Sequence, residues 1–243
     1  MSVTLNDGGE PSGFATFSPA MEHATHYIAW VLSRFRPFLR GDILEVGLGH
    51  GSYQPYLSAY GTYLGVDIDH DAVRRAQARF PQAAFAQADV TAAPLSAQID
   101  ERQFDAILCF NVLEHIEDHA AAVRALLGVL RPGGHLLIGV PAGPALFNDL
   151  DRLAGHYRRY RRRDLLALVP SDVASLHRLE YFNPIGALGW WANTLISHRA
   201  LDTPAVSHQV EFFDRYVLPL SRLLNPLTRR FFGQSLLCVA ERR

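Results

Sequence analysis

The chain has 243 residues, of which 49% are hydrophobic and 19% charged, and its formal net charge at pH 7 is −1. This length fits one sizeable domain, because single hydrophobic cores stop growing near ~250–300 residues, and the composition excludes a chain that is disordered throughout. The near-neutral charge excludes a positive field over the whole chain that would collect nucleic acid, and the lack of lysine excludes Schiff-base chemistry and pyridoxal phosphate enzymes.

The cysteines and the N-terminal residues favour a cytoplasmic location. Cys109 and Cys238 both lie inside apolar runs, so we expect buried thiols in a reducing compartment rather than a disulfide or a zinc site. Residues 1–19 lack the basic start and apolar segment of a secretory signal. No uninterrupted apolar run reaches the roughly 18 residues of a membrane span, so we expect none.

Apolar residues at helical spacing predict a leading helix over residues 22–39. Short apolar strands then alternate with helices, a pattern typical of a parallel sheet covered on both faces. Strands are predicted at residues 42–46, 63–67, 84–87, 104–110, 135–140, 175–181 and 235–240, and helices at 52–59, 71–79, 119–130 and 165–169.

Two segments lie outside this alternation. Residues 142–164 follow the fifth strand and are predicted to fold over its end as a lid. Residues 182–233 form an insertion with helices predicted at 186–196 and 212–224. The insertion is too long for a plain connection between strands, so we expect it to cover another part of the protein.

A glycine-rich turn, Gly47-Leu48-Gly49-His50-Gly51, joins the first strand to a helix. Glycines allow a ligand to approach the backbone closely, and a helix start offers free N–H groups. The dinucleotide pattern G-x-G-x-x-G would need a third glycine where this chain has Ser52. Glu45, two residues before the first glycine, would repel a pyrophosphate and attract a cationic amino-acid moiety.

The pattern E-x-G-x-G-x-G resembles motif I of the class I S-adenosylmethionine-dependent methyltransferases. The resemblance continues along most of the chain. The sequence departs from the family's motif at His50, where smaller residues are commoner. The matching segments, in order, are Gly65-Val66-Asp67-Ile68-Asp69, Gln87-Ala88-Asp89-Val90, Asn111-Val112-Leu113-Glu114-His115-Ile116 and Arg131-Pro132-Gly133-Gly134. We therefore expect S-adenosylmethionine as cofactor and S-adenosylhomocysteine as its product.

The resemblance implies one doubly wound, Rossmann-like α/β domain over residues 1–243. Its mostly parallel seven-stranded sheet has an antiparallel last strand and a helical insertion before it. Within it we expect an N-terminal tail and cap helix (1–40), a cofactor-binding core (41–141), the lid and the insertion. The residues expected to bind the cofactor are Tyr27, Trp30, Glu45, Gly47, Gly49, Gly51, Asp67, Ile68, Asp89, Val90 and Asn111.

Among these residues, Asp67 is expected to bind the ribose hydroxyls and Asp89 the adenine amine, as the resemblance implies. Tyr27 and Trp30 match a Tyr-x-x-Trp element of one branch of the family, in which the helix closes over the cofactor. Packing in the core is the alternative for both aromatic residues.

The lid carries five arginines within six residues, interleaved with a tyrosine. Guanidinium groups suit phosphate, carboxylate or a nucleic-acid backbone. A hydroxyl or ammonium acceptor also needs a base to remove its proton. The candidate catalytic residues are His156, His115, Tyr157 and Arg159, whereas Arg161–Arg163 are expected to start a solvated helix.

A metal site is not expected. His115 and His119 are spaced to share a helix face with Glu114 and Asp118 nearby, but the residues between them do not match a zinc-protease pattern.

These features predict a methyltransferase acting on an oxygen or nitrogen of a small, anionic metabolite, in specialised biosynthesis. The alternatives are methylation of a lipid-linked or glycan intermediate at a membrane surface, a non-methylating cofactor-binding or RNA-binding protein, and catalysis of a rearrangement or cyclisation. The aromatic residues of the insertion suit a roof over the acceptor, a homodimer face or a membrane-surface helix equally well. They are Trp190, Trp191, Phe212, Phe213 and Tyr216.

Overall fold

The computed structural model describes residues 24–92, 94–194 and 210–243. Residues 1–19, the predicted start of the leading helix at 22–23 and the predicted end of the first insertion helix at 195–196 lie outside the described residues.

Seven strands form one mixed sheet. They are β1 (Gly41–Val46), β2 (Gly61–Asp67), β3 (Ala84–Gln87), β4 (Phe104–Phe110), β5 (Leu130–Pro141), β6 (Ala174–Phe182) and β7 (Ser235–Arg242). Their order is β3-β2-β1-β4-β5-β7-β6. The first five strands pair in parallel, and β7 runs antiparallel to both β5 and β6. The predicted doubly wound sheet with an antiparallel last strand is confirmed.

Helices lie where the sequence predicts them, with some changes of length, and two further short helices, Leu95–Gln98 and Asp149–Leu153, are not predicted from it. The helices are α1 (Thr25–Phe35), α2 (Gln54–Leu57), α3 (His70–Arg79), α4 (Leu95–Gln98), α5 (His119–Gly128), α6 (Asp149–Leu153), α7 (Arg162–Ala167), α8 (Pro184–Asn193) and α9 (Leu218–Thr228), and a π-helical turn, Phe213–Val217, precedes α9. The helix predicted at 52–59 is shorter because Ser52 does not cap it. It begins after Tyr53, which makes no side-chain cap.

The start of β5 differs from the prediction, because Arg131 to Gly134 belong to the strand rather than to a turn before it. The Arg131 guanidinium donates to Asp42 and Asp105, each at 2.7 Å. These contacts tie the extended segment to the amino ends of β1 and β4, which explains why the strand starts at Leu130.

Both faces of the sheet are buried. Along β1 and β4, Leu44 and Ile107 contribute to one hydrophobic cluster, whereas Ile43 and Leu108 contribute to the other. A sheet buried on both faces is expected for parallel strands covered by helices. Cys109 and Cys238 are buried free thiols within it, as predicted.

Buried polar groups anchor the insertion to the end of β6. Asn183 has the positive φ of +61°, and its amide N–H donates to Asn225 Oδ1 at 3.0 Å. Its side-chain oxygen accepts from Ser221 Oγ at 2.7 Å, and its Nδ2 donates to Gln234 at 2.7 Å. Because buried polar groups need partners, these bonds fix α8 and α9 at the end of the sheet.

Replacing Asn225 with alanine is expected to lower the free energy of unfolding by about 1–3 kcal/mol, because the buried Asn183 N–H then loses its acceptor. Leu227→Ala on the same helix is the matched control, since Leu227 is 75% exposed and such surface changes stay within about 0.5 kcal/mol. Urea unfolding of the two variants measures the difference. Equal stabilities would contradict an anchoring role.

Candidate functional site

The carboxyl ends of β1, β2 and β4 meet at one edge of the sheet, where ligands bind in open α/β folds. Gly47 follows β1 with φ of +71°. A Cβ atom built on Gly47 would lie 2.3 Å from Val112 Cγ2 in the segment after β4. Only glycine fits this close approach, so the glycine turn and the segment after β4 form adjacent walls of one site.

Asp67 ends β2 and connects it to the glycine turn. Its Oδ2 accepts the Gly49 N–H and its Oδ1 the Asp69 N–H, both at 3.0 Å. Burial raises the pKa of Asp67, and these backbone hydrogen bonds partly offset the rise. The next side chain, Ile68, is 60% exposed. A positioned carboxylate beside an exposed apolar side chain suits a ligand with both hydroxyl groups and an apolar ring.

Glu45 lies buried in β1, next to Tyr63. The Tyr63 hydroxyl donates to Glu45 Oε2 at 2.6 Å. Burial raises the pKa of Glu45 to about 8, although this hydrogen bond opposes the rise. A cationic ligand group at this position would therefore also restore the negative charge of the carboxylate.

The aromatic residues of α1 have different surroundings. Tyr27 is half-buried and has Ser235 as its hydrogen-bond partner, and burial raises its pKa to about 12. Trp30 is buried, with its ring centroid 4.0 Å from that of Phe182. Trp30 thus packs in the core of the described structure, and a cofactor contact for either residue stays a prediction.

The remaining cofactor candidates lie at the ends of β3 and β4. Asp89 Oδ1 accepts from the Thr91 N–H at 2.7 Å and from the Thr91 hydroxyl at 2.6 Å. Val90 is buried. Asn111 has φ of +55°, and its N–H donates to Gly139 O at 2.8 Å. These contacts turn the chain sharply at the edge of the sheet.

A second group of polar residues forms around the fully buried Asp151 of α6. Its Oδ1 accepts from His156 Nδ1 at 2.8 Å. Arg159 Nε lies 3.0 and 2.9 Å from its two oxygens, and the Asn148 N–H donates to Oδ2 at 3.0 Å. Burial alone would raise the pKa of Asp151, but the bonds from His156 and Arg159 outweigh it and lower the pKa.

The segment after β4 supplies two further groups. The rings of His115 and His156 are perpendicular, with centroids 4.7 Å apart, and burial followed by the nearness of His156 lowers the pKa of His115 to about 4. Glu114 is fully buried, and neither of its carboxylate oxygens has a hydrogen-bond partner among the described residues. Burial raises the pKa of Glu114 to about 8. Both side chains are therefore mainly uncharged at neutral pH.

Glu114, His115 and His156 each offer one potential metal-ligand atom, and these atoms lie within 4.8 Å of one another. The other two residues considered from the sequence have different partners. Asp118 accepts the Ala121 N–H and caps α5, and His119 Nδ1 lies 2.8 Å from the Tyr160 hydroxyl.

Arginines of the lid fasten it to the rest of the protein. Arg158 Nη1 donates to the carbonyl oxygens of Ile116 and Glu117 at 3.0 and 2.9 Å. Arg159 Nη1 donates to Ala142 O at 3.1 Å. The Tyr157 N–H donates to Glu114 O at 2.8 Å, while its side chain is exposed. The lid is thus bound to the segment after β4, and Arg159 connects the two ends of the lid.

The candidate residues predicted from the sequence did not include Asp151, Glu114 and Trp190. Trp190 of α8 places Nε1 3.4 Å from Asp151 Oδ2, and the Arg159 guanidinium lies 4.7 Å from the centre of its ring. Asp151 forms a capping box with Asn148 at the start of α6, which is a local pattern, but that pattern does not indicate that His156, Arg159 and Trp190 also contact its carboxylate. For Glu114, its place within a matched motif was the available signal.

Comparisons with known proteins agree with this geometry. Residues 44–138 match the family model of a methyltransferase domain. A ubiquinone biosynthesis O-methyltransferase of Ralstonia nicotianae is 26% identical over 200 residues, which cover 76% of this chain and 80% of that protein. An uncharacterized methyltransferase of Mycobacterium tuberculosis is 35% identical over 128 residues, 51% of this chain, and the chain spans 62% of that relative.

Solved structures share the fold at low sequence identity. An S-adenosylmethionine-dependent methyltransferase from Mesorhizobium loti superposes with a TM-score of 0.58 at 19% identity, covering 87% of this chain and 95% of that one. The N-methyltransferase NodS of Bradyrhizobium japonicum, in complex with S-adenosylhomocysteine, superposes with a TM-score of 0.53 at 15% identity, covering 93% of this chain and 88% of that one.

Three observations indicate the same kind of protein. They are the match to a methyltransferase domain, the sheet order with its antiparallel β7, and the glycine turn beside Asp67. Residues 44–138 are a methyltransferase domain, and in its fold and motifs the chain is similar to the class I S-adenosylmethionine-dependent methyltransferases.

Proposed function

We propose that this methyltransferase acts on a hydroxyl oxygen of a small molecule and that His156, held by Asp151, is the base that removes the hydroxyl proton. The observation that carries the proposal is the 2.8 Å contact between His156 Nδ1 and the buried Asp151 carboxylate. The O-methyltransferase of Ralstonia nicotianae supports oxygen as the acceptor atom.

The residues around the glycine turn fit the family's cofactor. Asp67 has a fixed orientation suited to the ribose hydroxyls, and the exposed Ile68 offers an apolar surface for adenine. Ser52 Oγ, directly after the turn, is buried without a hydrogen-bond partner among the described residues, so a ligand group can pair with it. Glu45 is placed to meet a cationic group. When bound, S-adenosylmethionine supplies an activated methyl group to this site.

A hydroxyl becomes a strong nucleophile only as its proton leaves. Because Asp151 accepts from the Nδ1 side of His156, the structure favours the tautomer whose Nε2 lone pair is available to the acceptor. Arg159 contacts both Asp151 oxygens and keeps its carboxylate ionised, so that Asp151 accepts the Nδ1–H and fixes the orientation of the imidazole. His115, with its lowered pKa, does not compete for this proton.

An anionic acceptor remains part of the proposal, on the basis of the arginines in the lid. Arg152 of α6 has a side chain that is 64% exposed and lies one residue from Asp151, with Asp149 as an ion-pair partner at 2.8 Å. An exposed guanidinium on the helix that carries Asp151 suits a carboxylate or phosphate. Comparing turnover of carboxylated phenols with that of their neutral counterparts tests this preference, and faster turnover of the neutral compounds would contradict it.

Replacing Asp67 with alanine is expected to weaken the binding of S-adenosylhomocysteine by about 1–3 kcal/mol, because a charged acceptor of two hydrogen bonds is lost. Isothermal titration of protein freed from carried-over cofactor measures the change. Asp71→Ala, at an exposed position in α3, is the control and should bind normally. Unchanged affinity in Asp67→Ala would remove Asp67 from the cofactor site.

Replacing His156 with alanine is expected to lower kcat by about 100- to 10,000-fold, the usual contribution of a general base, while cofactor affinity stays unchanged. His177→Ala, near the start of β6 and outside this cluster, is the matched control. A variant that turns over as fast as the wild type would exclude His156 as the base.

Turnover is also expected to survive treatment with a chelator, since the proposed proton transfer uses only His156 and Asp151. If EDTA abolished activity and a divalent metal restored it, Glu114, His115 and His156 would be metal ligands. That result would contradict the proposal.

Between about pH 5 and pH 8, the free energy of unfolding is expected to fall less in the Glu114→Gln variant than in the wild type. The raised pKa of Glu114, about 8, means that its carboxyl ionises in the unfolded chain at lower pH than in the folded protein. Its contribution to stability is therefore largest at low pH and declines as the pH rises. Thermal denaturation of both proteins measures the slopes, and the same fall in Tm in both would contradict burial of an uncharged Glu114.

A further inference from the structure

The helical stretch at residues 210–228 presents a row of large apolar side chains to solvent. We call it the outer stripe: Phe212 (60% exposed), Tyr216 (61%), Leu220 (52%), Leu223 (71%) and Leu227 (75%). Spacings of three and four residues place these side chains on one face of a helix. Phe231, directly beyond α9, is 78% exposed and continues the apolar surface.

Three of the four buried side chains of the same stretch are polar, namely Asp214, Ser221 and Asn225, whereas the fourth, Leu218, packs in an apolar cluster. Asp214 accepts from the Tyr27 N–H at 2.7 Å and from the His26 N–H at 3.1 Å. Ser221 accepts from the Ile185 N–H at 3.1 Å, and Asn225 accepts from Asn183. A helix at the surface of a water-soluble protein ordinarily buries its apolar face and exposes its polar one. Here the outer stripe is apolar although it faces solvent, and hydrogen bonds to the buried Asp214, Ser221 and Asn225 fix the orientation that exposes it.

The charged residues next to the outer stripe are mainly positive. Arg215, Arg222 and Arg230 are exposed, against one exposed acid, Glu211, in the same stretch. An apolar helix face accompanied by arginines matches the surface of a membrane with anionic lipids, in which apolar side chains enter the acyl boundary and guanidinium groups meet the headgroups.

Dimensions agree with a helix that lies in the membrane surface. α9 has 11 residues and is about 16 Å long at 1.5 Å per residue, whereas the hydrocarbon core is about 30 Å thick. No helix in the described part of the chain is long and apolar enough to cross a bilayer. The outer stripe could therefore enter one leaflet but could not span the membrane.

A second copy of the chain suits the outer stripe less well. In a two-fold symmetric dimer each surface patch meets the same patch of its partner. Such an interface centred on the outer stripe would bring the arginines beside it, Arg215 and Arg222, towards the same arginine-flanked surface of the partner, and like charges brought together oppose association. Anionic headgroups, by contrast, complement these arginines.

We propose that the outer stripe docks this methyltransferase on the surface of membranes that contain anionic lipids. This docking is independent of the proposed acceptor and base. It would bring α8, which packs against α9, close to the bilayer. That helix carries Trp190, which contacts Asp151, and Trp191, which is 55% exposed.

Flotation with lipid vesicles tests the proposal. The full chain is mixed with vesicles of equal parts phosphatidylglycerol and phosphatidylcholine, or of phosphatidylcholine alone. We expect binding to the anionic vesicles that weakens with salt, as electrostatic attraction does. The double variant Leu223→Glu, Leu227→Glu should reduce the partition coefficient at least tenfold, because it removes apolar contacts and adds negative charge.

Leu166→Glu is the matched control, since Leu166 is an exposed leucine of α7 and lies outside the outer stripe. It should bind the anionic vesicles as the wild type does. Circular dichroism and titration with S-adenosylhomocysteine check that both variants are folded and bind the cofactor. If the double variant failed to fold, Leu227→Ser alone would take its place.

Absence of vesicle binding by the wild type would overturn the proposal, and so would equal binding by the double variant. Light scattering after size-exclusion chromatography tests the alternative that a second copy of the chain covers the outer stripe. A wild-type dimer that becomes monomeric in the double variant, without binding to vesicles, would assign the outer stripe to self-association and likewise overturn membrane docking.

Discussion

The buried carboxylate of Asp151 is the constraint on which the acceptor side of the site depends. A charge removed from water must be paired, because an unpaired buried charge is strongly destabilising. Asp151 meets this requirement through His156, Arg159 and the Asn148 N–H, with Trp190 close by. The same contacts that stabilise the lid therefore orient the imidazole proposed as the base.

The cofactor side depends on a different constraint, the close approach of neighbouring parallel strands. β1 lies between β2 and β4, so its glycine turn contacts Asp67 on one side and the segment after β4 on the other. That segment also carries Glu114 and His115, and the Tyr157 N–H binds the Glu114 carbonyl oxygen. The glycine turn and the lid thus both contact the segment after β4.

The insertion combines two environments in one small structure. Trp190 of α8 reaches Asp151, whereas the outer stripe faces away from the polar contacts that anchor the insertion to α1 and β6. Ser221 and Asn225 are buried and form directional hydrogen bonds, whereas Leu223 and Leu227 expose apolar side chains to water. Physical chemistry therefore favours an apolar partner for the exposed face. Docking there would place α8, whose Trp190 contacts Asp151, next to the membrane surface.

Local periodicity and turn chemistry determined much of the fold from the sequence. The strands at 84–87 and 104–110 and the glycine turn follow from patterns within a few residues, and the order of motifs indicated the family. Tertiary structure decided what depends on distant partners: the early start of β5, fixed by Arg131, the contact of Trp190 with Asp151, and the side of α9 that faces water. Such long-range contacts override local conformational preferences, because burial and charge pairing outweigh local propensity where distant parts of the chain meet.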